Sequence, residues 1–374
     1  MKKLGFGVMR LPLFDERDMK NVDYEKAYEL IKLFVDRGFS YFDTGYMYHN
    51  FYSENVLRDL LVKRFPRESF QIADKLPVFA LKNAEAVPLI FDEQLRRLGI
   101  DYFDYYLLHS VSREFYEPMC EAFGCFDFIA EKKREGKIRE IGFSYHDDAE
   151  LLDRILTEHP EVDFVQLQIN YIDWEDEKVQ SRNNYEVARR HGKKIAIMEP
   201  VKGGTLVNIP DKVAKMFKEY APDRSIASWA IRYAAGLDGV FMTLSGMGNM
   251  EQLCDNIATM TDFEPLNDEE KALVRKAVEI IKNAVAVPCT SCGYCVEAGC
   301  PAGVNIPKYF ELYNTSKACR ISTGDGRARY KKLCRDFGAP SDCIDCGKCE
   351  KPVRRRQKAQ YQGKVHHKLL YLFL

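Results

Sequence analysis

FSYFDTGYMY (residues 39–48) begins as a strand and ends in polar side chains. Its aromatic run has the make-up of a buried strand, and Asp43 and Tyr48 follow where that strand should finish. Just upstream, YEKAYELIKLFVDRG (24–38) repeats apolar residues every three to four positions and stops at Gly38, as a helix does. The same alternation continues downstream. Strand-like runs recur as SFQIADKL (69–76), DYFDYYLLHS (101–110), IREIGFSY (138–145), DFVQLQINY (163–171), KKIAIMEP (193–200) and GVFMTLSG (239–246), with helical stretches between them. Alternation of this kind builds a parallel sheet with helices outside it. Seven strands can be placed and no eighth, so a closed barrel and an open doubly wound sheet both fit the pattern. No G-x-G-x-x-G opens any of the helices, which counts against the dinucleotide-binding open sheet.

The chain has 374 residues, enough for one large domain and a small appendage. A formal net charge of −1 leaves no electrostatic footprint for nucleic acid or a membrane surface. No apolar run approaches the roughly 20 residues of a spanning helix, and Arg10 and Pro12 interrupt any signal-peptide core in MKKLGFGVMRLP. The expected compartment is the cytoplasm, with neither nucleic acid nor membrane as partner.

The strand ends carry a constellation. Asp43, Lys75 and His109 close three successive strands, and Tyr48 lies five residues after Asp43. Asp43-Thr44-Gly45-Tyr46-Met47-Tyr48 resembles the D-T-A-x-x-Y motif of the aldo/keto reductase family, with the Lys of ADKLP and the His of YLLHS at the family's other two catalytic positions. The resemblance covers about residues 4–265, GFGVMRLP (5–12) included, and implies a TIM (β/α)8 barrel. The chemistry is coherent in itself. Reducing a carbonyl by hydride leaves an alkoxide that must be protonated as it forms, and a tyrosine near pKa 10 is a sluggish acid. An ammonium at Lys75 should lower that pKa, Asp43 should hold Lys75 charged and aimed, and His109 should hydrogen-bond the carbonyl oxygen. Read singly, Asp43 and Lys75 could be a structural ion pair, and Tyr48 and His109 satisfied core residues.

Cofactor positions follow from the resemblance. It implies contacts from Ser144 and Gln166 to a nicotinamide carboxamide, although Tyr145 stands where relatives have Asn. Met198 takes the place of a tyrosine that stacks on the ring; a thioether can cover it less specifically. In LSGMGNMEQLCDN (244–256), counting back from Asn256, the Lys and Arg that relatives use on a 2′-phosphate fall on Gly246 and Gln252. Gly246 and Gly248 leave backbone room for a phosphate near a helix start. The expected cofactor is NAD or NADP, leaning slightly from NADP. His49-Asn50-Phe51-Tyr52 and Tyr145-His146 suggest a mixed polar and aromatic pocket for a small carbonyl or alcohol substrate.

Nine of the twelve cysteines lie between residues 289 and 349. Cys289, Cys292, Cys295 and Cys300-Pro301 resemble the bacterial two-cluster ferredoxin run, with one extra residue before the last cysteine. Cys343, Cys346 and Cys349 repeat the first three positions, but Pro352 and Val353 follow instead of a fourth cysteine. Three cysteines in seven residues suit an iron–sulfur cluster better than zinc. In such ferredoxins the fourth cysteine of each run ligates the other cluster. Cys300 with Cys343, Cys346 and Cys349 would then complete one 4Fe-4S site, while Cys289, Cys292 and Cys295 lack a fourth ligand.

A single-base slip would account for the break. Pro-Val-Arg-Arg can be written CCT GTC CGC AGA, and one G in front turns it into Ala-Cys-Pro-Gln. Residues 352–374 also hold no acidic residue. The alternative is a genuine basic tail with Cys319 or Cys334 standing in. The expected organisation is a barrel over 1–265, a linker helix over 266–286 (Asn267 as N-cap, Glu270 three residues later), a ferredoxin-like domain over 287–351, and a frameshifted or unstructured tail over 352–374. The leading function is hydride transfer between nicotinamide and a small carbonyl or alcohol, with an appended cluster module serving structure or a redox protein partner. The competing one is a redox sensor or electron carrier whose barrel is only a scaffold.

Overall fold

The structure, a computed structural model, describes residues 2–15, 18–283, 294–297, 299–318 and 323–349. In chain order it runs β1 (Leu4–Gly7), α1 (Tyr24–Asp36), β2 (Tyr41–Asp43), α2 (Ser53–Leu57), β3 (Gln71–Leu76), α3 (Ala86–Leu98), β4 (Phe103–Val111), α4 (Cys125–Arg134), β5 (Ile138–Tyr145) and α5 (Ala149–Glu158). There follow β6 (Phe164–Gln168), α6 (Ser181–Arg190), β7 (Lys194–Met198), α7 (Asp211–Tyr220), α8 (Ile226–Ala235), β8 (Val240–Ser245), α9 (Met250–Thr261) and α10 (Asp268–Asn283). The eight strands pair in parallel, each with its sequence neighbour, and β8 closes onto β1. This is the barrel alternative, and the open sheet is set aside.

The eighth strand is β1, absent from the periodicity because two of its four residues are glycine. Glycine is a poor strand former, yet it is required here. A Cβ on Gly5 would sit 2.7 Å from Leu244 and 3.0 Å from Tyr41. On β5, a Cβ on Gly142 would lie 2.6 Å from the Phe164 carbonyl oxygen.

Side-chain parity decides what the barrel encloses. Tyr41, Ala73, Tyr105, Leu107, Phe164, Ala196, Met242 and Leu244 form one buried cluster, while Phe42, Ile72, Tyr106, Phe143 and Val165 join the larger apolar layer with the helices. Successive strand residues face opposite ways. Asp43, Lys75, His109, Ser144, Gln166 and Met198 therefore continue the inward face, two positions or a multiple of two beyond the interior packing. A plug of rings, with Tyr105 centroids 4.9 Å from Tyr41 and 5.5 Å from Phe241, fills the barrel beneath them.

The chain divides into two compact units. The described residues up to 203 together with 224–271 form the barrel unit; residues 204–223 and the described residues after 271 belong to the other. In the barrel unit, α10 begins with a capping box. The Glu270 amide donates to Asn267 Oδ1 at 2.8 Å, and the Asn267 amide donates to Glu270 Oε2 at 2.9 Å. Glu270 also receives both arms of the buried Arg232 guanidinium from α8, at 2.6 and 2.8 Å. Within the second unit lie α11 (Tyr294–Glu297), α12 (Ile306–Ala318) and α13 (Thr323–Asp336). Val304, Tyr309 and Phe310 form its small core.

Candidate active site

Lys75 anchors the site. Its ammonium donates to Asp43 Oδ1 at 2.6 Å and to the Thr44 carbonyl, and both charged side chains are buried. The same nitrogen lies 4.9 Å from the centroid of the Tyr48 ring. His109 also flanks Tyr48, its ring centroid 5.8 Å from that of Tyr48 at an interplanar angle of 76°. Phe79 packs edge-on against His109, and Phe115 against Phe79. Asp43, Lys75, Tyr48 and His109 are thus gathered at one end of the barrel, beside an aromatic wall.

Their electrostatics follow from burial. Desolvation alone would push the Lys75 ammonium down, but Asp43 and Tyr48 outweigh it, and Lys75 titrates above its ordinary value. Asp43 is raised by burial against the pull of Lys75, its Oδ2 having no hydrogen-bond partner. Burial holds the Tyr48 phenol above its ordinary value, against the lowering effect of Lys75 and with Asp43 adding to the rise. The net lowering expected from the cation is therefore absent in this state; the cation's pull is present but desolvation is larger. His109 is pushed down to about 3, first by burial, then by the Lys75 charge and by His146. It is a neutral imidazole at neutral pH. Its Nδ1 is buried without a partner, so the proton is cheaper to keep on Nε2, which leaves Nε2–H as the donor.

The backbone around this end is strained. His49, Asn50 and Phe51 are left-handed in succession, at φ of 50°, 53° and 67°, and Ser110, Glu199 and Lys202 add φ of 63°, 57° and 50°. Non-glycine residues seldom adopt this region, and such strain concentrates at functional sites. His49, read from sequence as a pocket residue, is instead a buried brace. Its Nδ1 lies 2.8 Å from the Met19 carbonyl, and its Nε2 accepts the Leu11 amide at 3.3 Å, pinning the segment after β1 beside Tyr48. Tyr145 likewise points away, packed in the outer core with its hydroxyl donating to the Asp148 carbonyl at 2.5 Å.

The cofactor candidates separate into two groups. Gln166 is buried with Oε1 unpartnered, an orphaned acceptor suited to an amide donor. Ser144 is buried beside it on β5, in register with Gln166, and its Oγ accepts the Ser110 amide at 2.7 Å. Met198 ends β7 half-buried. At the β8–α9 connection the two glycines lie against the segment after β1. A Cβ on Gly246 would lie 3.0 Å from Arg10 Cδ, and one on Gly248 3.0 Å from the Arg10 carbonyl oxygen. The segment after β1 thus passes on the Cβ side of both glycines. Asn256 is buried and donates to Ser245 Oγ at 2.9 Å, bracing the end of β8. Sequence reading overlooked Arg10, whose only signal was its place in GFGVMRLP, and the buried polar group behind Lys75 formed by Asp74 and Glu54.

Comparison with known proteins gives the fold its lineage. The profile described as "Aldo/keto reductase family" matches residues 3–279. The chain belongs to the aldo/keto reductase family. As an aldo/keto reductase it is an NAD(P)-dependent oxidoreductase. It is similar to the NADH-specific methylglyoxal reductase of Escherichia coli (strain K12), at 24% identity over 289 residues, which is 66% of this chain and 85% of that protein. Among solved structures, the holo form of an aldo-keto reductase from Bacillus halodurans superposes with a TM-score of 0.59 at 22% identity, covering 74% of this chain and 91% of the other. An aldo/keto reductase from Klebsiella pneumoniae in complex with NADP and acetate gives 0.57 at 19% identity, covering 73% and 90%.

The second unit carries its own candidate site. Cys300, Cys343, Cys346 and Cys349 line one cavity, along with Pro301, Val304, Ile306 and Pro340. Asp345 and Gly347 are left-handed, at φ of 53° and 65°, and coil the chain between the cysteines. Among the described residues no three His, Cys, Asp or Glu side chains gather as they would around a single metal ion. Cys295 is buried, whereas Cys289, Cys292, Cys319 and the tail from 352 onward lie outside the described residues. Cys334 faces the small core, where the Tyr309 hydroxyl donates to its sulfur at 3.5 Å. No described helix is long and apolar enough to cross a membrane.

Proposed function

We propose that this aldo/keto reductase reduces small carbonyl compounds at the end of the barrel, with Tyr48 as the proton donor. The observation that carries the reading is the buried Lys75–Asp43 pair set against Tyr48 and beside a neutral His109. Lys75, kept charged by Asp43, lowers the cost of the phenolate that forms when Tyr48 Oη passes its proton to the carbonyl oxygen. His109, uncharged, donates a hydrogen bond to the same oxygen and orients it without offering a competing proton. Phe79 and Phe115 exclude water on one side. Gln166, through its orphaned Oε1, and Ser144 are the residues fitted to hold a nicotinamide carboxamide, with Met198 beside them. When bound, the nicotinamide supplies the hydride.

The methylglyoxal reductase likeness makes small dicarbonyls the first substrates to try. Because Gly246 and Gln252 carry no charge, we place NAD ahead of NADP. The test is NAD(P)H consumption over a panel of small aldehydes and dicarbonyls with the wild type and Tyr48→Phe. Turnover should disappear in the variant while dinucleotide binding survives. Retained turnover sinks the assignment.

For the second unit we propose a 4Fe-4S site formed by Cys300, Cys343, Cys346 and Cys349. A single ion on bonds of about 2.3 Å draws its sulfurs to within about 4 Å of one another. Four thiols spaced around a cavity instead suit a larger inorganic core. Such a cluster would exchange single electrons. Anaerobic purification with iron and sulfide counting tests this reading, and a preparation without iron overturns it. The electron-carrier reading of the whole chain is disfavoured by the assembled Asp43–Lys75–Tyr48–His109 group.

A further inference from the structure

Asp74 sits between Ala73 and Lys75 on β3, so its side chain points out of the barrel wall as theirs point in. It meets Glu54 of α2 there, and both carboxyls are wholly shielded from water. Each carboxyl has one oxygen committed elsewhere. Asp74 Oδ1 accepts the Lys75 amide at 2.8 Å, and Glu54 Oε2 accepts Arg97 Nη1 at 2.8 Å. The remaining two, Asp74 Oδ2 and Glu54 Oε1, accept no hydrogen bond of ordinary length, although the Gln94 amide also acts on the Glu54 carboxyl. Gln94 of α3 closes the group, donating to the Lys75 carbonyl at 3.1 Å and accepting the Tyr106 hydroxyl at 2.5 Å.

Two carboxylates in contact and cut off from water cannot both be charged. With a proton between them, the two orphaned oxygens become donor and acceptor. We propose that Asp74 and Glu54 hold one proton between them, resident on Asp74, and that this keeps a second anion away from the Lys75–Tyr48 pair. Arg97 sets the residence: burial raises the Glu54 carboxyl above its ordinary value, but the Arg97 cation pulls against that rise, and Asp74, which has no such cation bonded to it, keeps the proton. Burial and the neighbouring Glu54 both act on Asp74 in that direction, raising it well above an ordinary carboxyl. The other groups facing the pair are Glu93 of α3, bonded to Arg97 and to the Tyr46 hydroxyl, Tyr106 of β4, and Asp43 of β2 across Lys75.

The consequence reaches Tyr48. A negative Asp74 would raise the phenol further and tighten Lys75's hold on its own proton. Neutral, it lets Asp43 alone set the charge balance of Lys75. Asp74 is then a positioning residue for charge, and this part rests on the Tyr48 reading above.

The experiment uses the full-length protein and two variants. Asp74→Asn imitates the protonated form, since its amide can donate to Glu54 Oε1 while its oxygen keeps the Lys75 amide. Glu54→Gln removes the neighbouring negative charge that favours the proton on Asp74, and leaves Asp74 to carry the charge. At neutral pH the wild type should show the infrared carbonyl band of a protonated carboxyl, absent from Asp74→Asn. In Glu54→Gln, kcat/KM should fall about tenfold, as for a rise of about one unit in the phenol, with KM for NAD(P)H little moved. In Asp74→Asn the alkaline limb of the pH–rate profile, set by loss of the Tyr48 proton, should move to lower pH, because residue 74 can no longer become negative and raise the phenol. A wild type without the band, or a band that persists in Asp74→Asn, overturns the shared proton. A pH profile identical in wild type and Asp74→Asn overturns the coupling to Tyr48. The infrared result does not depend on turnover, so it stands or falls separately from the outcome of Tyr48→Phe.

Discussion

Lys75 Nζ lies 2.6 Å from Asp43 Oδ1, and neither side chain is more than 5% exposed. A pair this deep is costly to form and more costly to break, because removing one partner strands the other. Asp43→Asn should therefore lower stability by about 3–5 kcal/mol and cut carbonyl turnover by about 10²–10⁴. Urea unfolding and steady-state kinetics measure the two effects. An Asp43→Asn enzyme with wild-type values in both would refute the role of the pair.

His109 makes folding pH-dependent in a defined sense. Its folded value of about 3 lies below the ordinary 6.5, so between these the unfolded chain binds the extra proton. Its contribution to stability is complete above pH 6.5 and is lost as pH falls toward 3. The wild type should lose more stability between pH 7 and pH 5 than His109→Asn does. Chemical denaturation at both pH values gives the comparison, and equal losses would show that His109 is not held neutral by its surroundings.

Gly142 is a purely steric requirement. Its Cβ would meet the Phe164 carbonyl at 2.6 Å and the Phe164 ring at 2.7 Å. Gly142→Ala should destabilise the barrel by roughly 1–3 kcal/mol, seen as a lower urea midpoint at unchanged slope. A midpoint equal to wild type would mean that β5 and β6 can part at no cost.

Arg232 and Glu270 tie α8 to the start of α10 by a bidentate buried pair. Glu270→Ala strands the guanidinium and opens the capping box together. The expected loss is about 3–5 kcal/mol, against well under 1 kcal/mol for the exposed Lys215–Glu219 pair treated the same way. Comparable effects from the two would overturn the ranking.

For the second unit, Cys346→Ser and Cys300→Ser should each lower bound iron, measured per chain after anaerobic purification. Cys334→Ser should not, since Cys334 faces Tyr309 rather than the cysteine-lined cavity. Iron lost in Cys334→Ser alone would reassign the fourth ligand.

How far could the sequence be read? Strand–helix alternation exposed seven of the eight strands, with β5 matched at both ends. The eighth hid in LGFG, because its glycines answer to bulky neighbours across the barrel and not to strand preference. The cap of α10 was legible as Asn267 and Glu270, since a capping box is contained within four residues. That Glu270 also receives Arg232, 38 residues away, was not legible.

At the active end, chain order alone set Asp43, Lys75 and His109 on the inward face of successive strands, because parity is a local rule. What only the tertiary structure decided is the balance of charge there: burial outweighs Lys75 at Tyr48, keeps His109 neutral, and presses Asp74 against Glu54. It also turned His49 from a pocket residue into a brace and laid Arg10 over Gly246. Local pattern records which residues are adjacent along the chain. Desolvation and long-range contact depend on what folding brings around them, and no window of sequence carries that sum.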